Sequence, residues 1–351
     1  MDLPVGPPLE PMLGRLVREL PRDGYLYEPK WDGFRCVAFR GAEEVDLRSR
    51  HDRPLARYFP ELVEALAAVG RDRFAVDGEI VAVTDRGFDF PALMARLHPA
   101  ASRVERLRRE TPARFIAFDL LAVGEADLTS RPFAERRAAL EELLRDVRPP
   151  LHLTPATDDA AVAVGWMERF QGSGIDGVMA KPADRPYQPG ARAMIKVKME
   201  RTADCVLAGF RVFAGEPVVA SLLLGLYDDG GELQHVGVAS SFRKARRREL
   251  FEELSPLVVP LERHPWRSGF LVAGGPMGRL PGAAGAWTPD FDPDWLPLAP
   301  DRVCEVAYDQ LDDHRFRHPA RFRRWRDDRE PSSCSLDQIT PLTIEPQELL
   351  R

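Results

Sequence analysis

The sequence predicts an α+β protein of two domains, a larger one of strands and helices over residues 1–201 and a smaller β-barrel with one helix over residues 202–351. Three observations carry that prediction. The length of 351 residues is well beyond a single domain of roughly 100–200 residues. Up to residue 201 strand-like and helix-like stretches are mixed, whereas beyond it short strand patterns dominate. Between two of those strands stands Asp228-Asp229-Gly230-Gly231, a strong hairpin signal. With 44% hydrophobic and 30% charged residues, the chain has the apolar content to fill real cores, which excludes a disordered protein. No run of about 18 apolar residues occurs, nor a basic segment followed by an apolar one after Met1. A membrane span and a secretory signal are therefore not expected, and the cytoplasm is the expected compartment.

Taken in order, residues 24–40 alternate, with Tyr25, Tyr27, Val37 and Phe39 on one face between Gly24 and Gly41, which predicts two strands broken by a turn at Lys30. Residues 74–83 read as another strand. Residues 115–123 form an apolar run interrupted only by Asp119, the pattern of a strand buried on both faces. Helices are predicted over residues 133–145 and 158–171, the second with Asp158 as N-cap and Gly172 as stop. Further on, strands 218–227 and 232–239 flank the hairpin turn, a basic helix opens at Ser241 and runs to residue 254, and strands resume near 303–308. This arrangement suits a small five-stranded barrel with one helix. Of the 37 residues from 264 to 300, 13 are Gly or Pro, so a long irregular loop is expected there. Cys36, Cys205, Cys304 and Cys334 show no CxxC spacing, which argues against a zinc site and a disulfide framework.

The formal net charge of −6 hides local unevenness. Seven arginines lie between Arg315 and Arg329 against only Asp327 and Asp328, and five of the six residues 243–248 are basic. Both are candidate phosphate-facing patches, with a solvated helix face as the plain alternative for the second. Of the 49 basic residues only five are lysine: Lys30, Lys181, Lys196, Lys198 and Lys244. Where arginine serves almost every surface charge, a remaining lysine is a candidate for work that a permanently protonated guanidinium cannot do, as a nucleophilic amine or a compact charge on phosphate. Lys30, within Glu28-Pro29-Lys30-Trp31-Asp32-Gly33-Phe34-Arg35, is the candidate nucleophile, with Gly33 allowing a tight turn beside it. Its attack on phosphorus makes a P–N bond, more labile than a phosphoester. The amine must first shed its proton, and Lys196 and Lys198 are the cations expected to lower its pKa. Other matches carry less. Gly172, Gly174 and Gly177 fit GxGxxG but follow a helix and precede a strand, the reverse of a dinucleotide fingerprint, and no GxxxxGK[ST] occurs. His314 and His318 have helical i,i+4 spacing but no third ligand.

The pattern Lys-x-Asp-Gly-x-Arg, here Lys30, Asp32, Gly33 and Arg35, is followed in order by Ser49-Arg50, Asp77-Gly78-Glu79, Phe118-Asp119, Asp176-Gly177-Val178-Met179-Ala180-Lys181 and Lys196-Val197-Lys198, and finally by Arg326, Asp327, Asp328 and Arg329. In this order and over nearly the whole chain, the sequence resembles the covalent nucleotidyltransferases: ATP-dependent DNA ligases, RNA ligases and mRNA capping enzymes. The resemblance implies an ATP-grasp-like adenylation domain of antiparallel sheets with helices, followed by an OB-fold barrel. It implies that Lys30 accepts AMP from ATP, that Arg35 and Glu79 hold the ribose, that Phe118 stacks on adenine, and that the backbone around Glu28 reads the base edge. Arg50 is implied to sit on the travelling phosphate, and Lys181 to make a phosphate or carboxylate contact. Lys196 and Lys198 are among the residues implied to bind ATP. Arg326, Asp328 and Arg329 resemble the segment that orients the ATP pyrophosphate and then rotates away about a hinge at residues 201–204. Glu79 and Asp176 are the implied Mg²⁺ carboxylates, with Mn²⁺ as a substitute. The commonest family pattern has glutamate at position 176, and the shorter aspartate favours a water bridge; the family lysine at position 329 is arginine here.

Within the family, the Arg-rich final segment, Ser49-Arg50 and the overall length look like a compact bacterial ATP-dependent DNA ligase of the actinobacterial C type. That implies sealing of nicked double-stranded DNA in repair, beside a primase-polymerase partner, by a monomer associated with the nucleoid. Binding would be salt-sensitive and directed at backbone phosphates. An RNA ligase or a guanylyltransferase shares Lys-x-Asp-Gly and is the alternative enzyme. A non-catalytic nucleic-acid-binding module is the alternative of another class.

Overall fold

A computed structural model describes residues 2–84, 87–98, 100–170, 174–198, 200–213, 216–267, 270, 295–312, 314–339 and 346–350. The chain divides into two compact units, Met1–Met199 together with Pro341–Arg351, and Glu200–Thr340. The last described residues, 346–350, placed with the barrel by sequence, thus group with the first unit. The reason is apolar burial, since Leu350 is packed among Trp31, Val81 and Ile175.

In chain order the first unit contains β1 (Gly14–Val17), β2 (Tyr25–Trp31), β3 (Phe34–Arg40), β4 (Val45–Ser49), α1 (Pro60–Ala67), β5 (Phe74–Thr84), β6 (Gly87–Phe88), α2 (Phe90–Ala95), α3 (Ala101–Glu110), β7 (Ala113–Val123), β8 (Ala126–Asp127), α4 (Phe133–Leu143), β9 (Leu151–Leu153), α5 (Ala160–Arg169), β10 (Ile175–Pro182) and β11 (Met194–Val197). Among the described residues these strands form two sheets. One runs β1-β11-β10-β2 and the other β4-β3-β5-β7-β8, with β6 beside β5 and β9 beside β7. The chain passes from the first sheet to the second between Trp31 and Phe34, so the break in the 24–40 pattern falls at Asp32-Gly33 and Lys30 lies inside β2. Gly33 is required there because a Cβ would collide with the Ile80 carbonyl oxygen on β5.

The second sheet is filled from both sides. β7 is buried at nearly every position, as its apolar run predicts. Asp119 is tolerated inside it because Arg136 of α4 donates to both its oxygens at 2.7 and 2.9 Å. Leu62 and Leu66 of α1 and Leu140 of α4 pack on one face with Phe74, Val76 and Phe115. Helix α4 stops at Leu143, two residues short of expectation. In α5 the N-cap is Asp159, whose carboxylate accepts from the Ala161 amide at 2.7 Å, and not Asp158. Gly172, expected to stop that helix, lies outside the described residues.

The second unit holds β12 (Arg201–Val212), β13 (Val219–Tyr227), β14 (Leu233–Ala239), α6 (Lys244–Leu254), β15 (Leu296–Tyr308), β16 (Leu311–Asp312), β17 (Arg315–Phe316) and β18 (Arg321–Trp325). Five of them form an antiparallel sheet in the order β14-β13-β12-β15-β18. The Ala320 amide donates to the Val238 carbonyl at 2.8 Å, which brings the two edge strands together and closes the sheet into the expected barrel. Three expectations shift. Helix α6 begins at Lys244 and not at Ser241. Residues 296–300 of the expected loop are strand, because Leu296 and Pro297 pair with Phe210 and Gly209; residues 268–269 and 271–294 of that loop lie outside the described residues. Residues 201–204, expected as a hinge, are paired with Tyr308, Ala307, Val306 and Glu305, so the crossing between units falls before Arg201.

Candidate active site

Trp31 ends β2 with its side chain buried and its Nε1 donating to Thr154 Oγ1 at 2.9 Å. Side chains alternate along a strand, so the preceding Lys30 points to the other face, where its Nζ donates to Asp176 Oδ2 at 2.8 Å. Lys198 Nζ reaches the same oxygen at 2.6 Å. Asp176 stands in a bulge, where the β2/β10 register shifts between Ile175 and Val178 and so re-aims its side chain. Gly177 makes the bulge possible. Its φ is +135°, and a Cβ there would collide with the Val197 carbonyl oxygen.

The charges of this group are coupled. Burial pulls the Lys30 pKa down, but Asp176 first, then Glu79 and Asp32, more than offset it, and the net shift is upward. The expectation that neighbouring cations lower the Lys30 pKa is therefore overturned: its nearest charge is a carboxylate, and Lys198 is paired with that same carboxylate. Asp176 is held below the usual carboxylate range, since burial raises its pKa but Lys30 and Lys198 outweigh burial. Lys196, on the next strand, has its pKa lowered by burial and then by Lys30 and Lys198. Among the described residues it has no carboxylate partner, which leaves it as the cation available to an incoming anion.

The other wall comes from the second sheet. Arg35 faces Glu79 across β3 and β5, yet its guanidinium is gripped by Asp77, at 2.6 Å to each oxygen. Tyr187 donates to Asp77 at 2.7 Å and accepts from the Met12 amide at 3.0 Å. Arg35 and Lys181 lie over the Phe118 ring at 4.4 and 4.5 Å from its centre, a cation–π arrangement. Lys181 also donates to the Phe118 carbonyl at 2.8 Å and pairs with Glu28 at 2.7 Å. Of the two contacts expected for Lys181, the structure shows the carboxylate. Glu28 is buried, which raises its pKa against the pull of Lys181 and of Arg137 from α4. The Glu79 carboxylate has no hydrogen bond or ion pair among the described residues, and burial pushes its pKa up to about 7 despite Arg35 and Lys30.

Lys30, Asp176, Lys196, Lys198, Glu79 and Arg35 are thus linked by contact or by charge, and Phe118, Lys181 and Glu28 join through Arg35. Arg50 is not among them; it stands exposed after β4 and lines a separate hollow with Pro8, Glu10, His51 and Gly190. Arg326 and Arg329 belong to the second unit, where Arg326 pairs with Asp204 at 2.9 Å and with both oxygens of Asp328 at 2.8 Å, and Arg329 lies 3.3 Å from Asp204. The arginine run is largely compensated in the same way. Arg321 and Arg323 pair with Glu200, and Arg324 pairs with Glu305, so it is not the bare cationic patch expected. In residues 243–248, Arg247 is spent on the carbonyls of Val219, Ala220 and Ser240, while Arg243, Lys244 and Arg248 stay exposed. His314 sits in a turn and not on a helix. Sequence reasoning missed Tyr187 and Arg137 altogether, and gave Asp77 no role of its own. Only the last had a signal, a carboxylate beside Glu79 in a mostly apolar strand.

Residues 11–198 match the family model of the ATP dependent DNA ligase domain. The chain belongs to the ATP-dependent DNA ligases. Residues 215–329 of this ligase match the model of the ATP dependent DNA ligase C terminal region. It is 53% identical to DNA ligase C2 of Mycolicibacterium smegmatis, over 97% of this chain and 96% of the relative. It is 50% identical to DNA ligase C of Mycobacterium tuberculosis, over 100% and 99%. A solved structure from a structure-function study of Lig E DNA ligases, 18% identical, aligns over 90% of this ligase and 99% of that chain with a TM-score of 0.53, a likeness of fold. No helix among the described residues is long and apolar enough to cross a membrane.

Proposed function

We propose that this ligase seals 5′-phosphate/3′-hydroxyl nicks in double-stranded DNA through a lysyl-AMP formed on Lys30. The observation that carries this reading is the Lys30–Asp176–Lys198 group, with the uncompensated Lys196 beside it and the Arg35–Phe118–Lys181 wall joined to it through Glu79. In the first step the Lys30 amine attacks the α-phosphorus of ATP. A P–N bond forms, the bond to the β-phosphate breaks, pyrophosphate leaves and the amine gives up its proton. AMP then passes to the 5′-phosphate of the nick, and the 3′-hydroxyl displaces it. Lys196 meets the phosphates, the face of Phe118 suits a purine, and the carboxylate of Glu79 accepts from ribose hydroxyls.

Glu79 and Asp176 also fit a Mg²⁺ or Mn²⁺ ion. The described residues contain no group of three metal-ligating side chains, and Mg²⁺ characteristically takes one or two carboxylates and completes its shell from water and phosphate. Such an ion supplies charge neutralisation on the phosphates. Asp176 is the largest charge that keeps the proton on Lys30, so loss of that contact favours the free base of the amine. The resemblance also supports a primase-polymerase partner in repair, to be sought by co-purification.

The test is mass spectrometry of the protein incubated with Mg²⁺ and ATP or GTP. An AMP-sized increment on Lys30, absent in Lys30→Ala, is the expected result, with loss of nick sealing by that variant. A GMP adduct, or sealing that survives the substitution, would sink the reading.

A further inference from the structure

We infer that residues 348–350, which rejoin the first unit after the barrel is complete, are a positioning element for Lys30; the inference rests on the lysyl-AMP reading. Leu350 is 6% exposed and belongs to one apolar cluster with Trp31, Val81, Ile116, Phe170 and Ile175, with Leu349 packed against it. Two of these are chain neighbours of the reacting group. Trp31 follows Lys30, Ile175 precedes Asp176, and the two are paired across β2 and β10. The segment is pinned at two further points. The Leu350 carbonyl lies 2.9 Å from His152 Nδ1 on β9, and Glu348 pairs with Arg169 in the last turn of α5. A carbonyl can only accept, so the His152 ring carries its proton on Nδ1. Burial lowers the pKa of that ring and keeps it neutral.

The reacting side of this arrangement has little packing of its own. Asp176-Gly177 is a bulge whose glycine contributes no side chain, and among the described residues the Lys30 amine is hydrogen-bonded to Asp176 alone. Besides the pairing of the two strands, what supports their backbones is the opposite face, where Trp31 and Ile175 enter the cluster that Leu350 helps fill. Emptying that place lets both strands shift, and a displacement near 1 Å of a reacting group costs on the order of a hundredfold in rate. Of the groups assigned to ATP itself, Arg35 is held by Asp77 and Phe118 lies against Arg35 and Lys181. The signature is therefore a slower chemical step at unchanged ATP affinity.

The experiment follows AMP-adduct formation in a single turnover by the full chain, Leu350→Ala, Leu350→Met and a chain ended after Glu345, each below its measured Tm. Leu350→Ala and the shortened chain should lose about tenfold or more in maximal rate with the KM for ATP within about twofold. Leu350→Met, which keeps the volume, should stay near wild type. A peptide of residues 341–351 added in trans should restore the shortened chain. An unchanged maximal rate with only a lower Tm, or a raised KM at unchanged rate, overturns the inference. Failure of the wild-type chain to form the adduct overturns the assignment of Lys30, and this inference with it.

Discussion

Lys30 is best understood through its counter-ion. A lysine amine needs its lone pair to attack phosphorus, yet Asp176 at 2.8 Å holds it protonated. Removing that charge in Asp176→Asn takes away the largest charge that opposes burial, with Glu79 and Asp32 remaining, and lowers the Lys30 pKa, so the acid limb of the pH profile for adduct formation should move to lower pH. Single-turnover rates from pH 6 to 10, on the order of the range that brackets a perturbed lysine, check it; a limb that stays put removes Asp176 as the controlling charge. Glu79 is poised differently. Its folded pKa of about 7 lies above the ordinary carboxylate value of 4.5, so the folded chain binds more protons than the unfolded one and stability falls as pH rises through that window. Glu79→Gln should flatten this loss, which is on the order of 3 kcal/mol, and urea unfolding at mildly acid and mildly alkaline pH measures it. Asp77 carries a third prediction. Buried and bonded to both Arg35 and Tyr187, it should cost about 3–5 kcal/mol when replaced by alanine, because the Arg35 guanidinium loses the carboxylate that grips it at two points.

The elements explain why these residues meet. β2 and β3 are consecutive in sequence but lie in different sheets, and the chain changes sheet at Asp32-Gly33. Lys30 therefore stands at the seam, with Asp176, Lys196 and Lys198 supplied from β10 and beyond on one side and Arg35, Glu79 and Phe118 from β3, β5 and β7 on the other. The bulge at Asp176-Gly177 is the most sensitive of these devices. Gly177→Ala forces a side chain onto a left-handed backbone against the Val197 carbonyl. It should slow adduct formation by on the order of a hundredfold, read by rapid quench, while nucleotide affinity measured by calorimetry changes little. Strand patterns with strong alternation or unbroken apolar runs were readable in advance, as at β5, β7, β13 and β14. Helix ends were not. Asp158 and Asp159 are both capable caps, and only the backbone decides that Asp159 bonds the Ala161 amide.

At the scale of the whole molecule, the excess of acid over base is met by local pairing. Glu200 compensates Arg321 and Arg323, and Asp204 compensates Arg326 and Arg329. Arginines already paired contribute less to a phosphate backbone than a count of them suggests. Glu200→Gln should therefore strengthen binding to a nicked duplex and steepen its dependence on log salt by about one to two units, as the two arginines become available to phosphate; anisotropy titrations at several salt concentrations test this.

Chemistry and order along the chain were determined by sequence alone: a lysine kept amid arginines at Lys30, the ordered motifs that follow it, and the strand and hairpin patterns of both units all come from residue identity and period, which are local properties. Partnership was decided only by tertiary structure. That Arg35 answers to Asp77 and Tyr187, that Asp176 restrains Lys30, that Asp204 holds Arg326 and that Leu350 returns to pack under Trp31 all depend on contacts between residues far apart in the chain. A charge or a leucine carries no sign of its distant neighbour until folding brings the two together and burial makes an unpaired charge or an unfilled cavity costly.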